Sequence, residues 1–254
     1  MDITGAVALV TGANRGLGRR FAAALLERGA AKVYAAARNP DSILSGVRVA
    51  EPPARGAASD VAVDLPGVVP LRLDVTDPAS IRDAVAAAGD VTLLVNNAGS
   101  STGASLLGGS LEDIRLEMDT HYFGTLAVTR GFAPVLERNG GGAVLNVLSV
   151  LSWFTAPRVA AYSAAKSAAW SLTNALRLEL APQKTQVTAL HVGYMDTDMA
   201  KDVDGPKVDP AVVAGLALDG VEQGRFEVLA DDVSRNVRAG LAGDLSGLYP
   251  ALVS

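Results

Sequence analysis

Cysteine is missing from all 254 residues, and histidine occurs only twice. Without thiols the chain can form neither a disulfide framework nor a thiolate metal site or nucleophile, and two histidines alone do not build a convincing zinc site, so no metal is expected. Runs of Lys or Arg are missing as well. With a net charge of −5 and a pI near 5.1, the protein repels phosphates overall, and nucleic acid is not an expected partner. Long hydrophobic runs are also lacking: Gly, Asn or charge interrupts each one well short of the roughly 18 residues a bilayer span requires. Met1-Asp2-Ile3-Thr4 passes directly into a strand-like run, with no basic region, apolar core and cleavage site of a secretion signal. The expectation is a soluble cytoplasmic protein with no membrane partner.

What is present is apolar material, at 49% of residues against 19% charged, enough for a large core and too much for wholesale disorder. Short Val- and Leu-rich runs alternate with longer segments of helical period, the pattern of βαβ units around a parallel sheet. Strands are expected at 6–10, 32–36, 69–73, 91–95, 143–148 and 187–191. After the first, Leu17, Phe21 and Leu25 recur on one helical face until Gly29 offers a stop. The order predicts one doubly wound α/β domain over residues 1–254. Residues 39–68, with Pro40, Pro52, Pro53, Gly56 and Pro66, carry weak periodicity and read as an irregular surface excursion.

Three motifs carry chemistry. Thr11-Gly12-Ala13-Asn14-Arg15-Gly16-Leu17-Gly18 joins the first strand to its helix. Glycines there let backbone approach a pyrophosphate and let helix N-terminal N–H groups face it, although a tight strand-to-helix turn would use the same residues. Asn96-Asn97-Ala98-Gly99 follows the fourth strand at the carboxyl edge, either as part of a ligand cleft or as a polar turn closing the sheet. Tyr162-Ser163-Ala164-Ala165-Lys166 spaces a phenol and an ammonium four apart on one helical face. The cation is expected to lower the phenol's pKa, while Ser149, at the end of the fifth strand, would donate to an oxygen gaining negative charge.

Together these motifs resemble the classical short-chain dehydrogenase/reductase family, in the same order and approximate spacing over nearly the whole chain. The resemblance implies a Rossmann-like domain with a mostly parallel sheet of about seven strands, and catalysis by Ser149, Tyr162 and Lys166. It implies NAD(P) held by Gly12, Asn14, Arg15, Gly16, Leu17, Gly18, Asn97, Ala98, Gly99 and Gly193. Asp74 and Val75 would meet the adenine and Thr197 the nicotinamide carboxamide, while Tyr162 and Lys166 also border the cofactor. Homotetramers or homodimers are implied too. The strand-two terminus reads Ala36-Ala37-Arg38 and lacks an acidic partner for ribose hydroxyls, so Arg15 and Arg38 resemble the pair that clasps a 2′-phosphate, and NADP(H) is the expected cofactor.

Two positions depart from the family pattern. His121 stands where an asparagine usually supports a water-linked proton relay; either its backbone carbonyl holds the water while the ring fills space, or the imidazole titrates near neutrality and joins proton supply. Val192-Gly193 replaces the usual Pro-Gly, ahead of a possible substrate lid near 194–208. Ser149, Trp153, Phe154, Tyr194 and Met195 are candidate walls of an apolar pocket, with core or subunit packing as the competing use of the aromatics. The expected function is reduction of hydrophobic or bulky ketones or aldehydes, or the reverse alcohol oxidation. The alternatives are a 3-oxoacyl thioester reductase and a catalytically silent NADP-sensing protein.

Overall fold

Along the central strands most residues are apolar and neighbouring residues bury on opposite faces, as a sheet covered on both sides requires. In β1 (Val7–Thr11), Ala8 and Val10 join one core cluster and Leu9 the other. The computed structural model describes residues 1–44 and 66–249. β1 pairs in parallel with β2 (Lys32–Ala37) on one side and β4 (Leu93–Asn96) on the other. Beyond them lie β3 (Val68–Arg72), then β5 (Gly142–Val147), β6 (Thr185–His191) and β7 (Glu227–Leu229), giving the order β3-β2-β1-β4-β5-β6-β7. The winding reverses between β1 and β4, and at such a switch point the loops beyond the strand ends diverge and open a crevice.

One face is covered by α1 (Gly16–Glu27) and α7 (Pro210–Glu222), which bury Phe21, Leu25, Val213, Leu218 and Val221. The opposite face carries α3 (Pro78–Ala87), α5 (Thr125–Arg138) and α6 (Ala160–Leu180), with Ile81, Phe132, Leu136, Leu172 and Leu176 in the second cluster. The expected six strands are present with ends shifted by a residue or two. The three-residue β7 was not individually expected, because so short a run has no readable periodicity. In the 39–68 region, α2 (Asp41–Leu44) is a single turn and Val68 already belongs to β3; residues 45–65 of the expected excursion lie outside the described residues.

Two devices fix the site-bearing elements. Asn96 donates to Asn146 Oδ1 at 2.8 Å and Thr129 Oγ1 at 3.0 Å, and Asn146 donates to Thr173 Oγ1 at 2.9 Å, so buried amides tie β4 and β5 to α5 and α6. Between α4 (Leu111–Met118) and α5 the helix widens into a π-helical turn over Asp119–Gly124, which contains His121. Such an insertion re-aims side chains and is common near functional sites. Gly124 ends it, where a Cβ would lie only 3.0 Å from Val75 Cγ2.

Candidate active site

The glycine loop and the loop after β4 are locked together. Thr11 Oγ1 accepts from the N–H groups of Asn97 and Ala98, both at 2.9 Å, and Asn97 Nδ2 donates to the Thr11 carbonyl at 2.9 Å. The Asn97 side chain is thus engaged in holding the glycine turn, as the polar-turn reading of this motif expects. Gly18 has no alternative here: a Cβ would stand 2.2 Å from the Gly12 carbonyl oxygen. Gly12 has φ +67° and faces Ala98 Cα at 3.0 Å from its would-be Cβ. No side chain caps the N-terminus of α1. The cradle left by missing Cβ atoms, with first-turn N–H groups facing it, fits a pyrophosphate of a nicotinamide dinucleotide.

Several of the other residues expected to hold the cofactor lie on or near this loop. Ala13 N–H donates to the Ala36 carbonyl at 3.0 Å, bringing the end of β2, and exposed Arg38 beyond it, to the glycine loop. Arg15 is also exposed and sits 3.4 Å from Asp198. Asp74 accepts from Thr76 and feels the positive charges of Arg38 and Arg72; burial pushes its pKa up, but these partners outweigh it and hold the carboxyl below its ordinary value. Thr197 stands against Gly16, with Cγ2 at 3.5 Å from a Cβ built there. Gly193 N–H donates to Asp231 Oδ2 at 2.6 Å, so Asp231, the N-cap of α8 (Asp232–Gly240), anchors the turn after β6 that lacks its proline.

At the other end of the edge, α6 presents Tyr162 and Lys166 one turn apart. Lys166 Nζ donates to the Val147 carbonyl at 2.9 Å and lies 5.5 Å from the Tyr162 ring centroid. Ser149 caps a 3₁₀ turn over Val150–Ser152, its hydroxyl accepting from Leu151 N–H at 3.1 Å. Behind it, His191 Nδ1 lies 3.2 Å from the Ser149 carbonyl; a carbonyl only accepts, so Nδ1 carries the hydrogen. Burial pulls the His191 pKa down to about 4, which leaves the ring neutral.

Burial dominates the acid–base character of the pair. It pulls Lys166 down to about 8, against the opposing field of Glu117. The expectation of a lowered Tyr162 pKa beside Lys166 is corrected: its net shift is upward. Burial drives the phenol above its ordinary value, the neighbouring Ser149 hydroxyl pulls it only part of the way back, and the charges of Glu117 and Tyr194 raise it further. Tyr162 therefore holds its proton at neutral pH.

His121 is buried with its ring edge-on to Tyr162, 5.0 Å between centroids. Its Nε2 is 2.9 Å from the Ser100 carbonyl and 3.2 Å from Glu117 Oε2. Both can only accept and are shorter than the 3.4 Å approach of Ser100 N–H to the same nitrogen, so the hydrogen is assigned to Nε2. The reading in which His121 titrates near neutrality is corrected: burial first, then the Lys166 charge, press its pKa below the ordinary value, so the imidazole is neutral. Glu117 was missed entirely. Its signal was an acid four residues before a histidine in a helix, which ordinarily marks a surface pair.

The expected pocket residues divide. Trp153 stacks flat on His191 at 3.9 Å and meets Trp170 edge-on, so it serves packing behind Ser149. Met195 packs against the core and pairs with Val208. Tyr194 is exposed and acts electrostatically on Tyr162, and Phe154 is half-buried beside it in sequence to the packed Trp153. The 194–208 segment closes on itself through Val208 N–H to the Tyr194 carbonyl at 2.9 Å, with a 3₁₀ turn at Asp198–Ala200.

No cluster suited to a metal occurs among the described residues, and none of their helices is long and apolar enough to cross a membrane. The model of the short chain dehydrogenase family matches residues 6–207. A short chain dehydrogenase from Burkholderia cenocepacia J2315, solved in complex with NADP, superposes over 100% of both chains with a TM-score of 0.88 and 38% identity. A Dehydrogenase/reductase SDR family protein 7-like of Drosophila melanogaster is 29% identical over 99% of this chain and 79% of its own length. An NADPH-dependent 1-acyldihydroxyacetone phosphate reductase of Schizosaccharomyces pombe is 32% identical over 58% of this chain and 51% of its own length. With the switch-point cradle, Ser149, Tyr162 and Lys166 on one sheet edge, the chain belongs to the short-chain dehydrogenase/reductase family, oxidoreductases that use a nicotinamide cofactor.

Proposed function

We propose that this chain is an NADP(H)-dependent reductase of hydrophobic or bulky ketones and aldehydes, running in reverse as an alcohol dehydrogenase. The observation that carries the reading is a half-buried Tyr162 one helical turn from Lys166 and next to the Ser149 hydroxyl, on the same sheet edge as the glycine cradle. With its pyrophosphate in that cradle, the cofactor would supply the hydride to the carbonyl carbon. Ser149 would donate a hydrogen bond to the carbonyl oxygen, and Tyr162 would release its Oη proton to that oxygen as charge develops. The Lys166 ammonium would stabilise the resulting phenolate and hold the nicotinamide ribose. Gly193 and Thr197 would bound the nicotinamide, and Asp74 and Val75 the adenine.

Selectivity for NADP over NAD is supported by exposed Arg15 and Arg38, with Arg38 rather than an acid directly after β2. The NADP complex of the Burkholderia relative and the name of the yeast reductase point the same way. For the substrate, the exposed apolar side chains Leu106, Leu107, Tyr194 and Met199 support a greasy entrance. They lie on the 100–110 loop, joined to α6 by Ala161 N–H to the Ala104 carbonyl, and on the 194–208 segment, proposed as the lid. A cytoplasmic homotetramer or homodimer completes the reading.

The test is NADPH oxidation across bulky aryl and alicyclic ketones, small charged keto acids and 3-oxoacyl thioesters. Highest kcat/KM on the first group is expected. Preference for keto acids or thioesters would replace the substrate class, and cofactor binding without turnover on any of them would favour a sensor.

A further inference from the structure

Glu117 is fully buried, and no step of the proposed reduction uses it. An isolated carboxylate in an apolar interior is costly, so its partners define its purpose. It accepts from Thr102 N–H, from Ser100 Oγ at 3.2 Å and from His121 Nε2 at 3.2 Å. Burial pushes its carboxyl up, but the bonds from His121 and Thr102 outweigh that and leave it below the ordinary carboxylate value, hence ionised. The imidazole beside it is neutral and cannot balance the charge.

The cation facing this charge across the pocket is Lys166, whose Nζ lies 5.5 Å from the Tyr162 ring centroid, on which the Glu117-bound His121 stands edge-on at 5.0 Å. Among the described residues, the ionisable groups that sense one another across this pocket are Glu117 on α4, His121 on the π turn, Tyr162 and Lys166 on α6, and Tyr194 after β6. An anion at this depth acts on two of them with the same sign. It favours the ammonium of Lys166 by attraction and the neutral phenol of Tyr162 by repelling the phenolate.

Resting on the reductase reading, we propose that Glu117 is a positioning residue of the centre. Its buried carboxylate, locked by Ser100, Thr102 and His121, is the counter-charge that keeps Lys166 an ammonium and Tyr162 a phenol through the neutral range. His121 is the other half of the device. Where the family usually has asparagine, it bridges the carboxylate to the Ser100 carbonyl and presents its ring to Tyr162. The ring also dictates Gly99, where a Cβ would lie 2.8 Å from His121 Cε1. The departure at His121 thus works together with Glu117, an acid and an imidazole supporting the proton donor.

The experiment compares wild type, Glu117→Gln and Glu117→Asp. One readout is the pH titration of the Lys166 Cε resonance in carbon-labelled-lysine protein, assigned by Lys166→Met and needing neither cofactor nor turnover. The other is the alkaline limb of kcat/KM for carbonyl reduction. In Glu117→Gln both move to lower pH by about one unit or more, while Glu117→Asp retains most of the wild-type position. If both stay in place in folded Glu117→Gln protein, the proposal is overturned. Should that variant not fold, the E117Q/H121N pair, which offers two amides to the same loop, carries the same comparison. If no carbonyl gives Tyr162-dependent turnover the reductase reading falls, and the lysine titration still decides the role of Glu117.

Discussion

The two ends of the carboxyl edge are built on opposite principles. Around the glycine loop the binding surface is backbone, and its charged side chains, Arg15 and Arg38, stand in solvent. Beyond β5, Ser149, Lys166, His121 and Glu117 are all buried; burial lowers the pKa of Lys166 and His121, while hydrogen bonds hold Glu117 below its ordinary value. A large anionic ligand must arrive from water and leave again, and exposed charges serve that exchange. A proton that must move on demand needs a low-dielectric site where neighbours shift a pKa strongly.

Substitutions at the two ends should therefore fail differently. Ser149→Ala should lower kcat by about 100- to 1000-fold, the range for losing one donor to a developing oxyanion, with the NADPH dissociation constant unchanged; an equal loss in cofactor affinity would merge the two ends. Next in size is an acid effect on folding. His191 has an ordinary pKa of 6.5 and a folded value of about 4, so the unfolded chain binds the extra proton first. Its stabilising neutrality is complete above pH 6.5 and lost as pH falls toward 4, by up to about 3 kcal/mol. Thermal melts of His191→Asn, whose amide can replace Nδ1–H, should show a flatter slope in that window; an unchanged slope removes His191 as its source. Smallest is Arg38→Asp, which should reduce preference for NADPH over NADH by about tenfold or more; equal weakening of both cofactors would show that Arg38 does not read the 2′-phosphate.

Much of the edge was legible because its rules are local. Gly12, Gly16 and Gly18 have to be glycine for reasons contained in one turn, and Tyr162 and Lys166 meet through helical spacing alone. What escaped depends on distant chain. Asp231 anchors Gly193 from 38 positions away, and Asn146 joins Thr173 across 27. Trp153 was expected either in the pocket or in packing, and its stack on His191, on another strand, is a packing contact no local spacing reveals. Lys166 was expected to set the Tyr162 pKa by proximity, but desolvation of the pair is larger than their mutual effect, and desolvation cannot be read from spacing.

The most direct test of the central claim is Tyr162→Phe, assayed side by side for turnover of the preferred ketone and for NADPH binding. The account predicts a folded protein that binds NADPH like the wild type and has lost turnover by about 100-fold or more, the scale of a general acid. Turnover within a few-fold of wild type would contradict the assignment of Tyr162 as proton donor and, with it, the mechanism proposed for this site.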